Sequence, residues 1–274
     1  MPPRETLLFS DSEREWLEPF LPSTRAAIEA SPTRPHVTLT FATSLDSALS
    51  IAPGVQTALS GPESKAMTHY LRSRHDAILV GAGTAVADDP SLNCRLDGTG
   101  GYGGAELNGQ PQPVIVDPSC RWKVRAESKV VRLAKEGRGR APWVITVARD
   151  PPLACVEALR EAGGEYLVLP SNTMEGKEVI DWNELLAELW RRGVKSIMIE
   201  GGGTVINSLL SSKCAGLVDS VIVTIAPTWL GPGGVVVSPP RAGVVANQQL
   251  PVARLQRPRW HQLGDDVVLC GVLK

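Results

Sequence analysis

The sequence is poor in cysteine, and its cysteines form no pattern that would bind a metal or cross-link the chain. Among 274 residues there are five, with no C-x-x-C pair and no histidine at metal-ligand spacing: Cys94, Cys120, Cys155, Cys214 and Cys270. An odd number of widely spaced cysteines is typical of free thiols in a reducing compartment. We therefore expect no metal site and a cytoplasmic protein.

The chain also lacks a charge excess and a long uninterrupted apolar run. Lys and Arg number 28 against 29 Asp and Glu, so the formal net charge is −1. Proteins that bind nucleic acid usually carry a strongly basic face, which this composition does not favour. The longest stretch without charge, residues 220–240, contains four prolines, and the first 30 residues hold no apolar core of a signal peptide. We expect no nucleic-acid partner and no membrane span.

Several common catalytic motifs are missing as well. No glycine-rich loop is followed by Lys-Ser or Lys-Thr, as a P-loop would be, and the pair Gly81 and Gly83 lacks the third glycine of a Rossmann fingerprint. No serine stands in a G-x-S-x-G elbow, and no H-x-E with P-C-x-x-C indicates a zinc deaminase. We therefore expect neither covalent catalysis by a serine nor a fused deaminase domain.

From residue 36 onward, apolar strands alternate with amphipathic helices. Strands are predicted at residues 36–42, 76–80, 113–116, 143–147, 166–169, 196–199, 221–225, 255–263 and 267–272. Helices are predicted after capping boxes that begin at Ser10, Ser60 and Asp181, and at residues 152–162 and 204–212. This order predicts a three-layer α/β fold, with a mostly parallel central sheet, helices on both faces and an antiparallel edge. Residues 1–34 form an N-terminal extension to one domain, 35–274.

The 26 glycines gather at four places, residues 81–83, 98–104, 201–203 and 231–234. The three glycines at 201–203 lie between a predicted buried strand and a predicted helix. Such a junction lets backbone N–H groups approach a phosphate closely, although a tight turn would also explain one of the glycines. We interpret it as an anion site, and we interpret the glycine-rich residues 97–112 as a mobile insertion.

Polar residues follow the predicted strands, where ligands of parallel sheets bind. Glu200 could accept hydrogen bonds from the amino groups of a ligand, or it could be a solvated strand end. Asp88 and Asp89 suit a turn and a helix cap. Arg72 and Arg95, taken alone, are typical of surface charges.

Together these strand ends resemble one known family. The residues that carry the resemblance are Ser44-Leu45-Asp46, the T-x-x-x-D-D-P-x-L-x-x-R string from Thr84 to Arg95, residues 113–117 with Arg121, and residues 199–203. In this order, over about residues 35–274, they are similar to the reductases of riboflavin biosynthesis, above all to the stand-alone fungal and archaeal type. The resemblance implies an enzyme with a dihydrofolate-reductase-like fold, NADPH as its cofactor and a homodimeric state.

The resemblance also implies roles for individual residues. The cofactor-binding positions are Thr84, Asp88, Ile180, Gly201, Gly202, Gly203 and Thr204, and the substrate-binding positions are Gln56, Arg72, Leu92, Arg95 and Glu200. Both arginines would hold the ribose phosphate of the substrate, and Glu200 would face its pyrimidinone ring. Asp46, Asp88 and Glu200 are the catalytic candidates, with Asp46 and Asp88 as alternative proton relays. Ser47 departs from the glycine that bacterial members carry at this place.

The implied substrate is a small phosphorylated pyrimidine, 2,5-diamino-6-ribosylamino-4(3H)-pyrimidinone 5′-phosphate. Its sugar would open to an imine, and hydride from NADPH would convert the ribosylamino group to a ribitylamino group. Three alternatives stay open. The chain could reduce the deaminated pyrimidinedione, it could reduce a pterin or folate, or it could bind NADPH as a non-catalytic regulator.

Overall fold

The computed structural model describes residues 6–22, 33–174, 177–241 and 251–273. Its helices are α1 (Asp11–Leu17), α2 (Pro62–Ser73), α3 (Ala82–Asp88), α4 (Lys129–Lys135), α5 (Leu153–Glu161), α6 (Trp182–Arg191) and α7 (Gly203–Leu209). Its strands are β1 (His36–Thr43), β2 (Ala48–Ser50), β3 (Ala77–Gly81), β4 (Thr99–Gly100), β5 (Gly103–Gly104), β6 (Gln112–Val116), β7 (Trp143–Thr146), β8 (Glu165–Val168), β9 (Asn172–Met174), β10 (Lys177–Val179), β11 (Ser196–Gly201), β12 (Ser220–Ile225), β13 (Val235–Val236), β14 (Leu255–Leu263) and β15 (Asp266–Leu273).

Nine of these strands form one sheet in the order β14-β15-β12-β1-β11-β3-β6-β7-β8. Neighbouring strands from β12 to β8 pair in parallel. At the other side of the sheet, β15 pairs antiparallel with both β12 and β14. The predicted mostly parallel sheet with an antiparallel edge is confirmed, and the carboxyl ends of its parallel strands lie along one edge.

The residues of β3 show that both faces of this sheet are covered. Ala77 and Leu79 belong to one core cluster, whereas Ile78 and Val80 belong to another. Successive side chains of a strand point to opposite faces, so the two clusters lie on opposite sides of the sheet. Buried side chains of α6 and α7 complete the first cluster, and those of α4 and α5 complete the second. The three-layer prediction is therefore confirmed.

The described part of the N-terminal extension packs into a third cluster. Phe9, Leu17 and Phe20 are buried there against Met67 and Leu71 of α2. Burying large apolar side chains stabilises such a contact by about 1.5–3 kcal/mol for each side chain. The segment is thus a packed layer over α2.

Two of the three predicted capping boxes cap a helix in the structure. The side chains of Ser10 and Asp181 cap α1 and α6 as predicted. The prediction that Ser60 caps α2 is wrong, because α2 begins at Pro62 with Gly61 as its N-cap. A proline in the first turn has no N–H group, so one of the donors that a cap would satisfy is absent.

Residues 97–112 fold compactly, which does not match their interpretation as a mobile insertion. β4 and β5 pair within them, and Tyr102 and Gln110 are buried. A Cβ atom added to Gly100 or Gly104 would collide with backbone atoms of the same segment. These two glycines therefore permit close backbone approach rather than mobility.

The five cysteines are free thiols, four of them buried. Burial raises the pKa of the Cys94 thiol, and it raises the pKa of Cys270 to about 12. Thiols with raised pKa values remain protonated at neutral pH and are chemically inert.

Within the described ranges, no helix is long and apolar enough to cross a membrane.

Candidate active site

The carboxyl ends of β1, β11 and β3 lie side by side, because these strands are adjacent and parallel. Each leads into a segment that the sequence singled out: residues 44–46 after β1, the glycine turn 201–203 at the end of β11, and α3 after β3. Ligands of open parallel sheets bind at this edge. The tertiary fold therefore gathers these segments into one candidate site.

The glycine turn 201–203 provides a surface without side chains. Gly201 has a φ of +111°, and a cis peptide bond joins it to Gly202. A Cβ atom added to Gly202 would lie 2.9 Å from Thr84 Oγ1, and one added to Gly203 would collide with Val235. The Thr84 hydroxyl thus lies against the turn, as expected if both contact one ligand. Bare backbone beside a hydroxyl donor fits a pyrophosphate.

Glu200, the residue that precedes this turn, forms an ion pair with Arg72 of α2. Arg72 Nε and Nη2 each donate a hydrogen bond of 2.8 Å, one to each carboxylate oxygen of Glu200. The side chains are only 12% and 16% exposed. Burial alone would lower the pKa of Arg72, but the attraction of Glu200 and its hydrogen bonds outweigh burial and raise it. The bidentate contact fixes the carboxylate plane, and each oxygen keeps a lone pair for a ligand donor.

The third nitrogen of the Arg72 guanidinium holds the loop that carries Arg95. Arg72 Nη1 donates to the carbonyl oxygen of Asn93 at 3.0 Å. Arg72 was expected on the substrate phosphate. In the structure its guanidinium joins Glu200 to residues 92–96, which we name the arginine loop. Arg95, half-buried at the end of this loop, is the second expected phosphate ligand.

The arginine loop is held by side chains that the sequence did not indicate. Asn93, 1% exposed, donates from Nδ2 to Tyr102 Oη at 2.8 Å and to the Arg138 carbonyl at 2.7 Å. The side chain of Gln110 accepts from the Cys94 N–H at 2.8 Å and donates to the Cys94 carbonyl at 2.7 Å. Such bonds between a side chain and a distant backbone leave no periodic pattern, so no sequence signal could have revealed them.

Asp46 lies at the end of β1 and organises the turn that follows β12. Its carboxylate accepts hydrogen bonds from Ser44 Oγ at 2.5 Å, from the Leu230 N–H at 3.1 Å and from the Gly231 N–H at 2.8 Å. These bonds, that of Ser44 first, lower the pKa of Asp46 to about 2. The group is therefore ionised at neutral pH and acts as an acceptor.

The lowered pKa of Asp46 predicts how acid affects stability. The folded-state pKa of about 2 lies below the ordinary value of 3.8, so the unfolded chain takes up the proton first as the pH falls. The stabilisation is complete above about pH 4 and is lost toward about pH 2. We expect Asp46→Asn to have a lower free energy of unfolding than the parent protein at neutral pH. Urea titrations should show this gap shrinking below about pH 4, and a gap that stays constant would contradict the expectation.

Asp88 and Asp89 have separate environments although they are adjacent. Asp89 has a φ of +40°, and its carboxylate accepts a hydrogen bond of 2.9 Å from the N–H of Lys129, the first residue of α4. The turn that was predicted at Asp89 is thus present, but Asp89 ends α3 as its C-cap, and the N-cap of α4 is Ser128. Asp88, the last residue of α3, is half-buried, and burial raises its pKa while the charge of Lys129 opposes the rise.

The remaining predicted positions lie at different depths. Leu92 is 1% exposed in the core cluster beneath α4, so its side chain has little surface for a ligand. Ile180 is half-buried against the cluster that contains α7. Thr204 is exposed in the first turn of α7, and Gln56 is exposed in the loop before α2. The structure therefore brings Thr84 and Glu200 together at the glycine turn.

Comparisons with known proteins match the chain along most of its length. The model of the family described as the RibD C-terminal domain matches residues 35–269. The chain is 39% identical to the 2,5-diamino-6-ribosylamino-4(3H)-pyrimidinone 5′-phosphate reductase of Debaryomyces hansenii, over 97% of this chain and 98% of that protein. It is 38% identical to the protein of the same name from Saccharomyces cerevisiae, over 87% of each chain. Among solved structures, the riboflavin biosynthesis reductase Rib7 of S. cerevisiae aligns with a TM-score of 0.72 and 32% identity, covering 96% of this chain and 100% of that one.

Proposed function

Since this chain belongs to the RibD C-terminal domain family, we propose that it reduces 2,5-diamino-6-ribosylamino-4(3H)-pyrimidinone 5′-phosphate, with NADPH as the hydride donor. The protein is a reductase of riboflavin biosynthesis. The product is the ribitylamino form of the same pyrimidinone. Relatives that carry the name of this reductase match nearly the whole chain, which supports the choice of substrate.

One observation carries the proposal. Glu200 directly precedes the bare glycine turn, and through Arg72 it is joined to the loop that carries Arg95. The Glu200 carboxylate therefore lies between two proposed phosphate sites. The glycine turn would bind the phosphates of the dinucleotide, and the loop with Arg95 would bind the phosphate of the substrate. This arrangement is what hydride transfer between two phosphorylated molecules requires, because both must be held with their reacting carbons in contact.

We assign the cofactor to the glycine-turn side of the site. A nicotinamide bound there supplies the hydride that the sugar carbon receives. Thr84 and residues 201–204 would hold its pyrophosphate, and Asp88 and Ile180 would make further contacts with the cofactor. Arg121 and Arg149 follow β6 and β7 at the same edge and are exposed, so they supply positive charge for the additional phosphate of NADPH.

A methyl group at Gly202 should weaken cofactor binding selectively. The added carbon would lie 2.9 Å from Thr84 Oγ1, so the turn or the hydroxyl must move. We expect Gly202→Ala to raise the KM for NADPH about tenfold, the effect of about 1.4 kcal/mol of lost binding, with the substrate KM nearly unchanged. Gly216→Ala is the matched control, because a Cβ there meets no described atom within 4 Å. Equal KM values in both variants would contradict the assignment.

We assign the substrate to the opposite side of Glu200. The carboxylate accepts hydrogen bonds from the amino groups of the pyrimidinone, and Arg95 binds the ribose phosphate. Arg72 orients Glu200 and fixes the arginine loop instead of meeting the phosphate directly. Leu92 shapes the loop from beneath, and Gln56 contacts the substrate from the exposed loop before α2.

We assign different roles to Asp46 and Asp88. Asp46, with a pKa of about 2, has no proton to give at neutral pH, and it holds the turn at residues 230–231. Asp88 has its pKa raised by burial. We therefore assign to Asp88, rather than to Asp46, the proton that assists opening of the sugar ring, since a raised pKa favours the protonated form that a general acid needs.

The function is tested by following the near-ultraviolet absorbance of NADPH with the purified chain. Loss of absorbance that depends on the pyrimidinone, and is slower with NADH, supports the proposal. Faster turnover of the deaminated pyrimidinedione would mean that reduction follows deamination in the pathway of this protein. Tight binding of NADPH without oxidation by either pyrimidine would make it a regulator.

We also propose that the enzyme is a cytoplasmic homodimer. Residues 218–237 carry exposed apolar side chains, including Trp229 at 72% and Val236 at 43% exposure, which a second copy would cover. Free thiols at all five cysteines are consistent with a reducing compartment. Light scattering of the purified chain tests the dimer, and a monomeric mass would contradict it.

A further inference from the structure

The N-terminal extension contacts the backbone of the residue proposed to bind the substrate phosphate. The Leu7 N–H donates to the Arg95 carbonyl at 2.9 Å, and the Asp97 N–H donates to the Leu7 carbonyl at 3.1 Å. These two bonds form a parallel β-bridge between Leu7 and Leu96. The extension thus adds one strand-like residue to the end of the arginine loop.

The other backbone group of Arg95 is bound from a different direction. The Arg95 N–H donates to Nδ1 of His69, a buried residue of α2, at 3.0 Å. Both the N–H and the carbonyl of Arg95 are therefore held by residues far from it in sequence. Fixing both groups restricts the rotation of the peptide planes that flank Arg95, and hence the direction in which its side chain leaves the loop.

The segment that follows the bridging residue is anchored to α2. Phe9 stacks on Tyr70 with a centroid distance of 5.3 Å and an angle of 29° between the rings. Tyr70 Oη donates to Glu18 Oε1 at 2.6 Å, and Glu18 also pairs with Arg74. Leu7 is thus tied to the helix that carries Arg72, so one packed unit supports both arginines.

We propose that residues 7–9 of the extension position Arg95 for the substrate phosphate, with the backbone of Leu7 as the positioning group. This inference rests on the proposed function, because it requires Arg95 to bind a phosphate. The extension lies outside the match to the family model, which begins at residue 35, so the role belongs to the part of the chain that the family model leaves out.

Leu7→Pro tests the role of the backbone, because proline lacks the N–H that donates to Arg95. We expect the KM for the phosphorylated substrate to rise about fivefold, as for the loss of one hydrogen bond of about 1 kcal/mol, with the KM for NADPH changed less than twofold. Leu8→Pro is the matched control. Leu8 is 79% exposed, and a proline after Leu7 favours the extended backbone that the bridge already needs. This control should keep both KM values of the parent protein.

A double variant distinguishes positioning from loss of structure. If Leu7 acts through Arg95, Leu7→Pro should add less than twofold to the substrate KM when Arg95 is already alanine. Hydrogen exchange gives a second readout without catalysis, since the Asp97 amide should exchange faster in Leu7→Pro than in Leu8→Pro. If Leu7→Pro does not fold, Phe9→Ala takes its place, because it removes the stacking on Tyr70 that anchors the same segment. Phe9→Ala should likewise raise the KM for the substrate and leave the KM for NADPH nearly unchanged.

The outcomes separate the two proposals. A parent protein that does not oxidise NADPH with the pyrimidinone overturns the proposed function. An active parent protein whose Leu7→Pro variant matches Leu8→Pro overturns only the positioning role. Equal increases of the substrate KM and the NADPH KM would also overturn it, because general loosening does not distinguish the two ligands.

Discussion

Replacing Arg95 with alanine is expected to raise the KM for the phosphorylated pyrimidinone about 10- to 100-fold, while the KM for NADPH changes less than twofold. A hydrogen bond to a charged group contributes about 1.5–3 kcal/mol, which corresponds to this range of affinity. Arg95 is suited to the role because its loop lies beside the Arg72–Glu200 pair and its backbone is held on both sides. Steady-state kinetics with each ligand varied in turn gives both constants.

Arg125→Ala is the control for this measurement. Arg125 is an exposed arginine on the turn before α4, and its loss removes the same charge from the surface. It should leave both KM values unchanged. Arg95→Lys should fall between the parent protein and Arg95→Ala, because lysine keeps the charge but not the planar, bidentate donors. Equal effects of Arg95→Ala on both ligands would contradict the phosphate assignment.

The second large effect is expected at Glu200. Replacing Glu200 with glutamine keeps its size but removes the charge that pairs with Arg72 and that we propose faces the pyrimidinone. We expect kcat to fall about 100-fold, the usual cost of removing a preorganised polar group from an active site. The free energy of unfolding should fall as well, by about 3 kcal/mol, because the largely buried Arg72 guanidinium loses its partner. NADPH binding, followed by cofactor fluorescence, should persist because the glycine turn is intact.

A paired substitution separates catalysis from stability in this case. The double variant Arg72→Gln with Glu200→Gln removes both charges, so much of the stability should return in urea titrations. Its kcat should remain low, because no carboxylate faces the substrate. A fully active Glu200→Gln variant would exclude an essential charge at this position. Recovery of kcat in the double variant would show that the loss came from the unpaired arginine.

The elements of the sheet could be predicted well from the sequence. The apolar runs that became β3, β6 and β11 are buried on both faces, so their composition alone indicates central parallel strands. The glycine turn could also be predicted, because three consecutive glycines at the end of a strand are a local feature of the sequence. Short helices were less visible. The sequence did not predict α3 or α4, because neither of these seven-residue helices begins at a side-chain cap that would mark its start, as Ser10 marks the start of α1.

The contacts between residues of the site could be predicted from the sequence to a much smaller extent. Arg72 and Glu200 are 128 residues apart, and their pairing depends on α2 packing on the face of the sheet that carries Met198 of β11. The resemblance identified both residues but placed Arg72 on a phosphate. Strand order and the packing of helices decide which side chains meet, and a local pattern contains neither.

Composition, periodicity and glycine spacing thus determined the α/β class, the parallel sheet and the turn at 201–203, because each of these follows from neighbouring residues. The tertiary structure alone decided that Arg72 holds Glu200, that Asp46 caps a distant turn and that Leu7 holds Arg95. Each of these contacts joins backbone or side-chain groups from segments far apart in the chain. The cost of leaving buried polar groups unpaired selects such partners only after the strands and helices have packed.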